Sequence, residues 1–177
     1  MKEGLVARGL LRTFTPGIVA TAYYFLRFGA KVSPRAEMDI TSNIHLGPGC
    51  IVGSFAKLKA TEGGLSMGER GGIANGCFIS AGSAGIRIGK NFICGPNVSI
   101  VAHNYVHDQL NVHLEDQGVR SIGIAIGDNV WIGAGSVVTD GAVIGSNTVV
   151  VANSVVNGKY PEEVILQGNP AKVVFRR

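Results

Sequence analysis

The stretch IGDNVWIGAGSVVTDGAVIGSNTVV, residues 126–150, has an aliphatic residue at every sixth position. These positions are Ile126, Ile132, Val138, Ile144 and Val150. A period of six fits neither the 3.6-residue repeat of an amphipathic helix nor the two-residue alternation of an isolated strand. It is typical of a parallel β-helix, in which each hexapeptide supplies one short strand and one corner.

The same spacing extends through most of the chain, with three interruptions. The further positions are Ile40, Leu46, Val52, Leu58, Met67, Ile73, Ile79, Ile88, Cys94, Ile100 and Val156. Small or apolar residues usually lie two positions earlier, so both sets share one face of each strand and predict the core. Three hexapeptides close a triangular coil, so the interruptions after Leu58, Ile79 and Ile100 all leave from the corner that follows the third strand. We therefore predict an all-β domain of about five coils over residues 35–174, with a basic tail at 175–177.

Composition agrees with a narrow core in one domain. The chain has 177 residues, of which 46% are hydrophobic but only 7% aromatic, as expected for an interior that admits small aliphatic side chains. Cys50, Cys77 and Cys94 fall on inward positions, so we interpret them as inert core thiols in a reducing compartment, which favours the cytoplasm. We expect no metal and no nucleic-acid partner.

Residues 1–34 form a separate leader. The 14 apolar residues from Thr13 to Leu26 are fewer than the ~20 that a membrane-spanning helix needs. We predict a helix that packs on the first coil or on a neighbouring chain. Two alternatives are peripheral contact of residues 5–28 with the inner membrane surface, and a signal peptide cleaved near Ala20-Thr21-Ala22.

The third interruption is a long loop, residues 101–125, that adds roughly twenty residues and is typical of a functional excursion. It holds three of the four histidines, His103, His107 and His113. A neutral imidazole can take a proton from a hydroxyl and return it, as acyl transfer requires. Asp108 and Glu115 are candidates to orient such an imidazole.

Several motifs in and after this loop carry a resemblance to a known family. They are His103-Asn104 with Asp108 and Gln117-Gly118, the stretch 126–135, and Gly168-Asn169-Pro170-Ala171-Lys172. Together they resemble the hexapeptide-repeat O-acetyltransferases, in the branch that acts on sugars and exopolysaccharides. The resemblance implies a left-handed parallel β-helix, a homotrimer, acetyl-CoA as donor and a hydroxyl of a saccharide, such as a polysaccharide or cell-surface glycan precursor, as acceptor.

The resemblance also implies roles for individual residues. It makes His103 the general base. It places the acceptor beside Asn75, which follows Ile73-Ala74, with Ser83, Asn104 and Asp108 as further substrate-binding candidates; Ser83 stands where some relatives have a carboxylate. Positions that match coenzyme contacts are Ala134, Ala152, Asn157, Gly158 and Lys172. Trp131 points outward from the second face, where it is expected at the trimer interface or in the coenzyme groove.

The six-residue period gives the relative position of the two groups of candidates. Asn75, Pro96, Ala134 and Ala152 each lie two residues past a position on the second face, so they should form a column along one corner. His103 leaves the other end of the third face, about 15 Å away. We therefore predict an active site between subunits, with the loop of one chain reaching the Asn75 corner of the next.

Two other functions fit parts of the sequence. A β-helical zinc lyase would use His103 and His107 with His45 as a third ligand. A trimeric β-helix that serves as a scaffold or membrane-docking module would keep the coil without transfer activity.

Overall fold

The computed structural model describes residues 16–177. A helix, α1 (Gly17–Phe28), is followed by short strands that repeat in the order of three faces. Parallel pairing of equivalent strands from successive coils builds one sheet on each face, named here sheets A, B and C. The molecule is therefore a parallel β-helix of triangular cross-section.

The strands of each sheet have the following bounds. Sheet A contains β1 (Lys31–Val32), β4 (Ile51–Val52), β7 (Gly72–Ile73), β10 (Ile93–Cys94), β15 (Trp131–Ile132), β18 (Val149–Val150), β21 (Val164–Gly168) and β22 (Ala171–Arg176). Sheet B contains β2 (Glu37–Met38), β5 (Lys57–Lys59), β8 (Phe78–Ser80), β11 (Ser99–Val101), β16 (Val137–Thr139) and β19 (Val155–Val156). Sheet C contains β3 (Ile44–Leu46), β6 (Leu65–Met67), β9 (Ile86–Ile88), β14 (Ile124–Ile126), β17 (Val143–Ile144) and β20 (Lys159–Tyr160).

The core is the stack of inward side chains that the six-residue period predicts. Every predicted position from Leu46 to Val156 is buried, and the register aligns equivalent positions, for example Ile73, Cys94 and Ile132 on sheet A. Each coil therefore packs its three inward aliphatic side chains on those of the coils before and after it. This burial, at roughly 25 cal/mol per Å² of apolar surface, supplies the main stabilisation.

The prediction that Ile40 lies in the core is wrong. Ile40 is 44% exposed, whereas Val32 and Met38 are buried and occupy the inward positions of the first partial coil. The chain makes a polar turn after Met38, in which the Asn43 amide donates to Thr41 Oγ1 at 3.2 Å. Because of that turn, the inward residues Met38 and Leu46 are eight residues apart instead of six. A period of six before Leu46 therefore points to Ile40, two residues past the true inward position.

The coil also continues past Val156, where the period shortens. Tyr160 aligns with Ile144 on sheet C, and Leu166 aligns with Val150 on sheet A. The Tyr160 hydroxyl donates to the Ala171 carbonyl oxygen at 2.9 Å. Because the step from Val156 to Tyr160 is four residues and Tyr160 is not aliphatic, the pattern does not reveal this last partial coil.

The corners between sheets place residues in the left-handed backbone region. The non-glycine residues with positive φ include Asn91, Asn97, Asn129, Asn147 and Asn153. Asparagine tolerates this conformation better than other non-glycine residues because its short side chain can hydrogen-bond locally. Recurrent asparagine in the corners therefore keeps the turns tight without requiring glycine at every one.

The three cysteines lie inside the coil. Cys77 and Cys94 belong to successive coils, and their Sγ atoms are 3.7 Å apart. The hydrogen bond with Cys77, together with burial, raises the pKa of the Cys94 thiol, so Cys94 stays protonated at neutral pH. Burial likewise raises the pKa of Cys50.

Helix α1 packs on β1 and β3 at the start of the coil. Tyr24 is fully buried and its hydroxyl donates to the Asp39 carbonyl oxygen at 2.6 Å, while the Phe28 ring stacks edge-on against His45. The other side of α1 exposes Ile18, Phe25 and Leu26. Within residues 16–177, no helix has the length and apolar character needed to cross a membrane. The predictions that concern residues 1–15 of the leader lie outside the described residues.

The inward and outward positions of one strand should differ sharply in their effect on stability. Ile144 is 2% exposed and its neighbour Val143 is 37% exposed on the same strand, β17. We expect Ile144→Ala to lower the free energy of unfolding by about 2–5 kcal/mol, because it leaves a cavity between stacked coils. Val143→Ala is the matched control and should cost less than about 1 kcal/mol. Equal losses in denaturant titrations of the two variants would contradict the inward assignment.

Candidate active site

The long loop is a β-hairpin that projects from the corner between sheets B and C. It leaves after β11 and returns at β14, and its stem pairs β12 (Asn104–Tyr105) with β13 (Val119–Arg120) in antiparallel register. Ala102, at the point of departure, is fully buried. The hairpin therefore starts from a fixed position in the core, and His103 is the first residue beyond it.

Ser121 fastens the base of the hairpin to the preceding coil. Its hydroxyl donates to the Ala102 carbonyl oxygen at 2.6 Å and accepts from the Ala84 amide at 3.1 Å. The corner that contains Ala84, residues 81–85, also contains Ser83, which is exposed. Ser83 and His103 thus belong to neighbouring turns of the same corner.

Asp140 fastens the base from the following coil. Its carboxylate accepts from the amides of Ile122 at 2.9 Å and Gly123 at 2.8 Å. Hydrogen bonds to a charged acceptor are stronger than those to a neutral one. Sequence reasoning missed both Ser121 and Asp140; the only signal was that each lies at the corner where the interruptions leave the coil.

The tip of the hairpin is closed by Gln117. Its side-chain oxygen accepts from the Gln109 amide at 3.0 Å, and its Nε2 donates to the carbonyl oxygens of Gln109 at 2.9 Å and Val112 at 2.8 Å. Gly118 follows with φ of 84°, a value that glycine adopts without strain. The Gln117-Gly118 motif therefore has a structural role in shaping the hairpin.

His103 has one ring nitrogen without a partner among residues 16–177. Its Nδ1 is buried and makes no hydrogen bond with any described residue. Asp108 and Glu115, the carboxylates expected to orient the imidazole, are exposed and form no hydrogen bond with it among residues 16–177. His107 instead places its Nδ1 3.1 Å from the Tyr105 carbonyl oxygen, and His113 is exposed on the hairpin.

The corner between sheets A and B contains the second group of candidates. Backbone hydrogen bonds link successive turns there, from Asn97 to the Asn75 oxygen at 3.1 Å, from Gly135 to the Pro96 oxygen at 3.0 Å, and from Asn153 to the Ala134 oxygen at 2.9 Å. This stacks Asn75, Pro96, Ala134 and Ala152 in the column that the period predicts.

Asn75 is the polar end of this column. Its Oδ1 accepts from the Ser54 amide at 2.9 Å. This hydrogen bond fixes the orientation of the side chain, and the Nδ2 group makes no hydrogen bond with the described residues. Sheet B separates Asn75 from His103, since β11 runs from one corner to the other. A single chain therefore does not bring these two residues together.

The other candidates lie on the outside of sheet A or near the C-terminal end. Trp131 is 54% exposed on sheet A, between Ile93 and Val149, so its predicted outward direction is confirmed. Asn157 is exposed after β19, and Gly158 follows it. Lys172 is exposed on β22, where it pairs with Gln167, and Asn169 and Pro170 form the reverse turn between β21 and β22.

Residues 16–177 of one chain contain no group of three His, Cys, Asp or Glu side chains that are placed to bind a metal. His45 lies beside Phe28 on the outer face of sheet C, whereas His103 and His107 belong to the hairpin. The ligand set of the zinc-lyase alternative is therefore not assembled within the described part of one chain.

Comparison with known proteins identifies the family. The model of the bacterial transferase hexapeptide (six repeats) family matches residues 123–158. A Dictyostelium discoideum protein named as an acetyltransferase is 38% identical over 150 residues, which cover 84% of this chain and 77% of that protein. The chain belongs to the hexapeptide-repeat acetyltransferase family.

Other family members cover different shares of the chain. A Mycobacterium tuberculosis protein named as an acetyltransferase is 27% identical over 162 residues, 92% of this chain, but the chain spans only 53% of its length. The Escherichia coli protein WbbJ, named as a lipopolysaccharide biosynthesis O-acetyl transferase, is 25% identical over 171 residues, 94% of this chain and 87% of WbbJ. The chain thus spans about half the length of the first of these relatives.

Superposition on a solved structure confirms the predicted left-handed parallel β-helix. A point mutant of AntD, an N-acyltransferase from Bacillus cereus in complex with dTDP and coenzyme A, superposes with a TM-score of 0.75 over 88% of each chain at 19% identity. At that identity the likeness concerns the fold. The family and the fold class predicted from the sequence are both confirmed.

The position of the hairpin should depend on Asp140. Asp140→Ala removes the charged acceptor of the Ile122 and Gly123 amides, so we expect amide exchange within the hairpin to become about 10- to 100-fold faster. The Val106 amide, which donates to the Gly118 oxygen at 3.0 Å, is the reporter, measured by hydrogen–deuterium exchange.

Asp128→Ala is the matched control for this experiment. Asp128 likewise accepts a backbone amide, that of Lys90 at 2.9 Å, but at the corner between sheets C and A. It should leave exchange at Val106 unchanged. Equal exchange at Val106 in the Asp140 variant and the native protein would show that Asp140 does not hold the hairpin.

Proposed function

We propose that this protein is an acetyltransferase that moves the acetyl group of acetyl-CoA to a hydroxyl of a saccharide, with His103 as the general base. The observation that carries the proposal is an imidazole at the base of a fixed hairpin, with one ring nitrogen unpaired, in a chain of this family. The names of relatives such as WbbJ support a saccharide acceptor in polysaccharide or cell-surface glycan biosynthesis. Free core cysteines fit a reducing compartment, so we place the reaction in the cytoplasm.

The two ring nitrogens of His103 suit different tasks. Nδ1 is the buried, unpaired atom, and the other nitrogen, Nε2, makes no hydrogen bond with the described residues and is not shut off from solvent. We assign Nε2 as the base because it can reach an acceptor hydroxyl. A protonated Nδ1 would then donate to an oxygen from outside the described residues, such as one of a neighbouring subunit, which would hold the ring in the required tautomer.

The reaction follows from this assignment. Nε2 takes the proton of the saccharide hydroxyl as the oxygen attacks the thioester carbonyl carbon and forms the new C–O bond. The tetrahedral intermediate then breaks its C–S bond, and the imidazolium returns the proton to the departing sulfur. The products are the O-acetyl saccharide and coenzyme A with a free thiol, so the histidine ends in its starting state.

The coenzyme would lie along the corner between sheets A and B. The small side chains of Ala134 and Ala152 leave space beside this corner for the pantetheine arm. Trp131 would flank the arm, and Asn157 and Gly158 would follow it toward the end of the coil. Lys172, whose amine makes no ion pair with the described residues, would meet the phosphates of the coenzyme. The coenzyme supplies the activated acetyl group as a thioester.

Each active site would be shared by two subunits of a trimer. Two features support this arrangement: sheet B separates His103 from Asn75 within one chain, and Nδ1 of His103 lacks a partner among the described residues. In a cyclic trimer with sheet B facing the axis, the hairpin corner of one subunit meets the Asn75 corner of the next. The Nδ2 group of Asn75 would then donate to the acceptor.

Contact of the apolar side of α1 with a membrane stays a prediction.

Replacing the base should remove most of the activity. We expect His103→Ala to lower kcat for acetyl transfer by about 10²–10⁴-fold, the usual contribution of a general base, while the KM for acetyl-CoA changes little. The assay follows release of the coenzyme A thiol with a panel of saccharides. His107→Ala, in the same hairpin, is the control and should retain activity. Undiminished transfer by the His103 variant would refute the assignment.

Mixing two inactive variants should test the shared site. We expect His103→Ala and Asn75→Ala to be nearly inactive as separate trimers. After unfolding and refolding together in equal amounts, about a quarter of the interfaces should join an intact His103 to an intact Asn75 and restore activity in proportion. If the mixture stayed as inactive as its components while still forming trimers, both residues would have to act within one chain.

A further inference from the structure

The outer face of sheet C carries a groove that is separate from the His103 hairpin. It crosses β3, β6 and β9 beside the corner between sheets B and C and has a volume of about 200 Å³. The side chains that matter for binding are those of Asn43, His45, Ser66 and Arg87, which lie among small and apolar neighbours. The register sets His45, Ser66 and Arg87 side by side on three adjacent strands.

Three side chains of this groove have hydrogen-bond donors that are not in use. The guanidinium of Arg87, the imidazole of His45 and the hydroxyl of Ser66 make no hydrogen bond or ion pair with the described residues. The Nδ2 group of Asn43 already has a partner, since it donates to the Ala60 oxygen at 3.1 Å. No carboxylate of residues 16–177 lines the groove. The site is therefore electropositive and has unused donor capacity.

His45 is held in place by the helix. Its ring meets the Phe28 ring edge-on, with 4.8 Å between centroids and an interplanar angle of 81°. The guanidinium of Arg27 lies 5.4 Å from the centroid of the same Phe28 ring and adds its positive charge to that of Arg87. The imidazole thus has a fixed place at one end of the groove, about 10 Å from the strand that carries Arg87.

A short chain of hydrogen bonds connects the groove with the proposed base. Ala84, in the groove wall, donates its amide to Ser121 Oγ, and the same hydroxyl donates to the Ala102 oxygen. Ala102 directly precedes His103. A ligand in the groove would therefore lie beside the base of the hairpin that carries the imidazole.

We propose that this groove binds an anionic group, a phosphate or a carboxylate, of the saccharide acceptor. Arg87 engages two of its oxygens through the planar guanidinium, while His45 and Ser66 donate to the others. The remaining space takes part of the attached sugar, whose hydroxyl is directed toward the hairpin. This inference rests on the proposed function and narrows its substrate class to charged saccharides.

The kinetic test compares matched acceptors. Galactose 1-phosphate and galacturonate supply a phosphate and a carboxylate, and galactose is the neutral reference. We expect Arg87→Gln to raise the KM for the anionic acceptors about tenfold or more, because a charge-assisted pair is lost. The kcat and the KM values for acetyl-CoA and galactose should not change. An effect on one anion only identifies that chemistry as the natural one.

Arg70→Gln is the matched control, because Arg70 is an exposed arginine in the same coil as Ser66 but at the corner between sheets C and A. It should leave all these constants unchanged. The proposal is overturned if the Arg70 and Arg87 variants behave alike, or if the native enzyme uses galactose as well as its charged counterparts.

A binding experiment separates this proposal from the proposed function. Galactose 1-phosphate is titrated into the native protein and the Arg87→Gln variant without acetyl-CoA, and the Arg87 Nε–H resonance of the native protein is followed by NMR. Binding that the variant loses supports the groove even if no acetyl transfer is detected. Absence of binding by a native enzyme that does acetylate saccharides refutes the groove and leaves the proposed function standing.

Discussion

The close stacking of successive coils is the constraint on which the rest of the structure depends. Parallel backbone hydrogen bonds set the distance between coils, and this distance leaves no room for a side chain at the glycines that follow many of the inward positions. A Cβ on Gly47 would lie 2.6 Å from the Glu69 amide nitrogen, and one on Gly127 would lie 2.6 Å from that of Ser146. Real Cβ atoms do not approach backbone this closely. Glycine at these positions therefore keeps the coils in register, and the register aligns each corner into a column.

Much of the fold could be predicted because one coil repeats the requirements of the next. The inward positions from Leu46 to Val156 follow directly from a period of six. Prediction failed at the two ends, where a coil has a neighbour on one side only and the spacing is free to change. For this reason the prediction of Ile40 as a core residue is wrong. Tyr160 was missed because an aromatic ring closes the end of the core, where the pattern predicts an aliphatic side chain.

The candidate site could be predicted less completely. The period placed Asn75 and His103 at the two corners that flank sheet B, because corners inherit their positions from the coil. It carried no information on the hairpin, whose shape depends on side-chain hydrogen bonds from Ser121, Gln117 and Asp140. Gln117 and Ser121 lie in the excursion and belong to no repeat, and Asp140 lies at a corner of the coil, where the period of inward residues carries no information on the side chain. The groove with His45 and Arg87 was missed because outward positions of a coil vary freely and show their arrangement only after folding.

The reversal of direction at the C-terminal end has a consequence for assembly. Strand β22 pairs antiparallel with β21 and covers the exposed edge of sheet A, whereas every other partner in that sheet is parallel. A second molecule that approached this end would meet a strand of the wrong polarity, so its first coil has no matching ladder to extend. The reversal therefore leaves sheet A without a parallel strand to extend at this end, which disfavours growth of these prisms into fibres by continuation of that sheet.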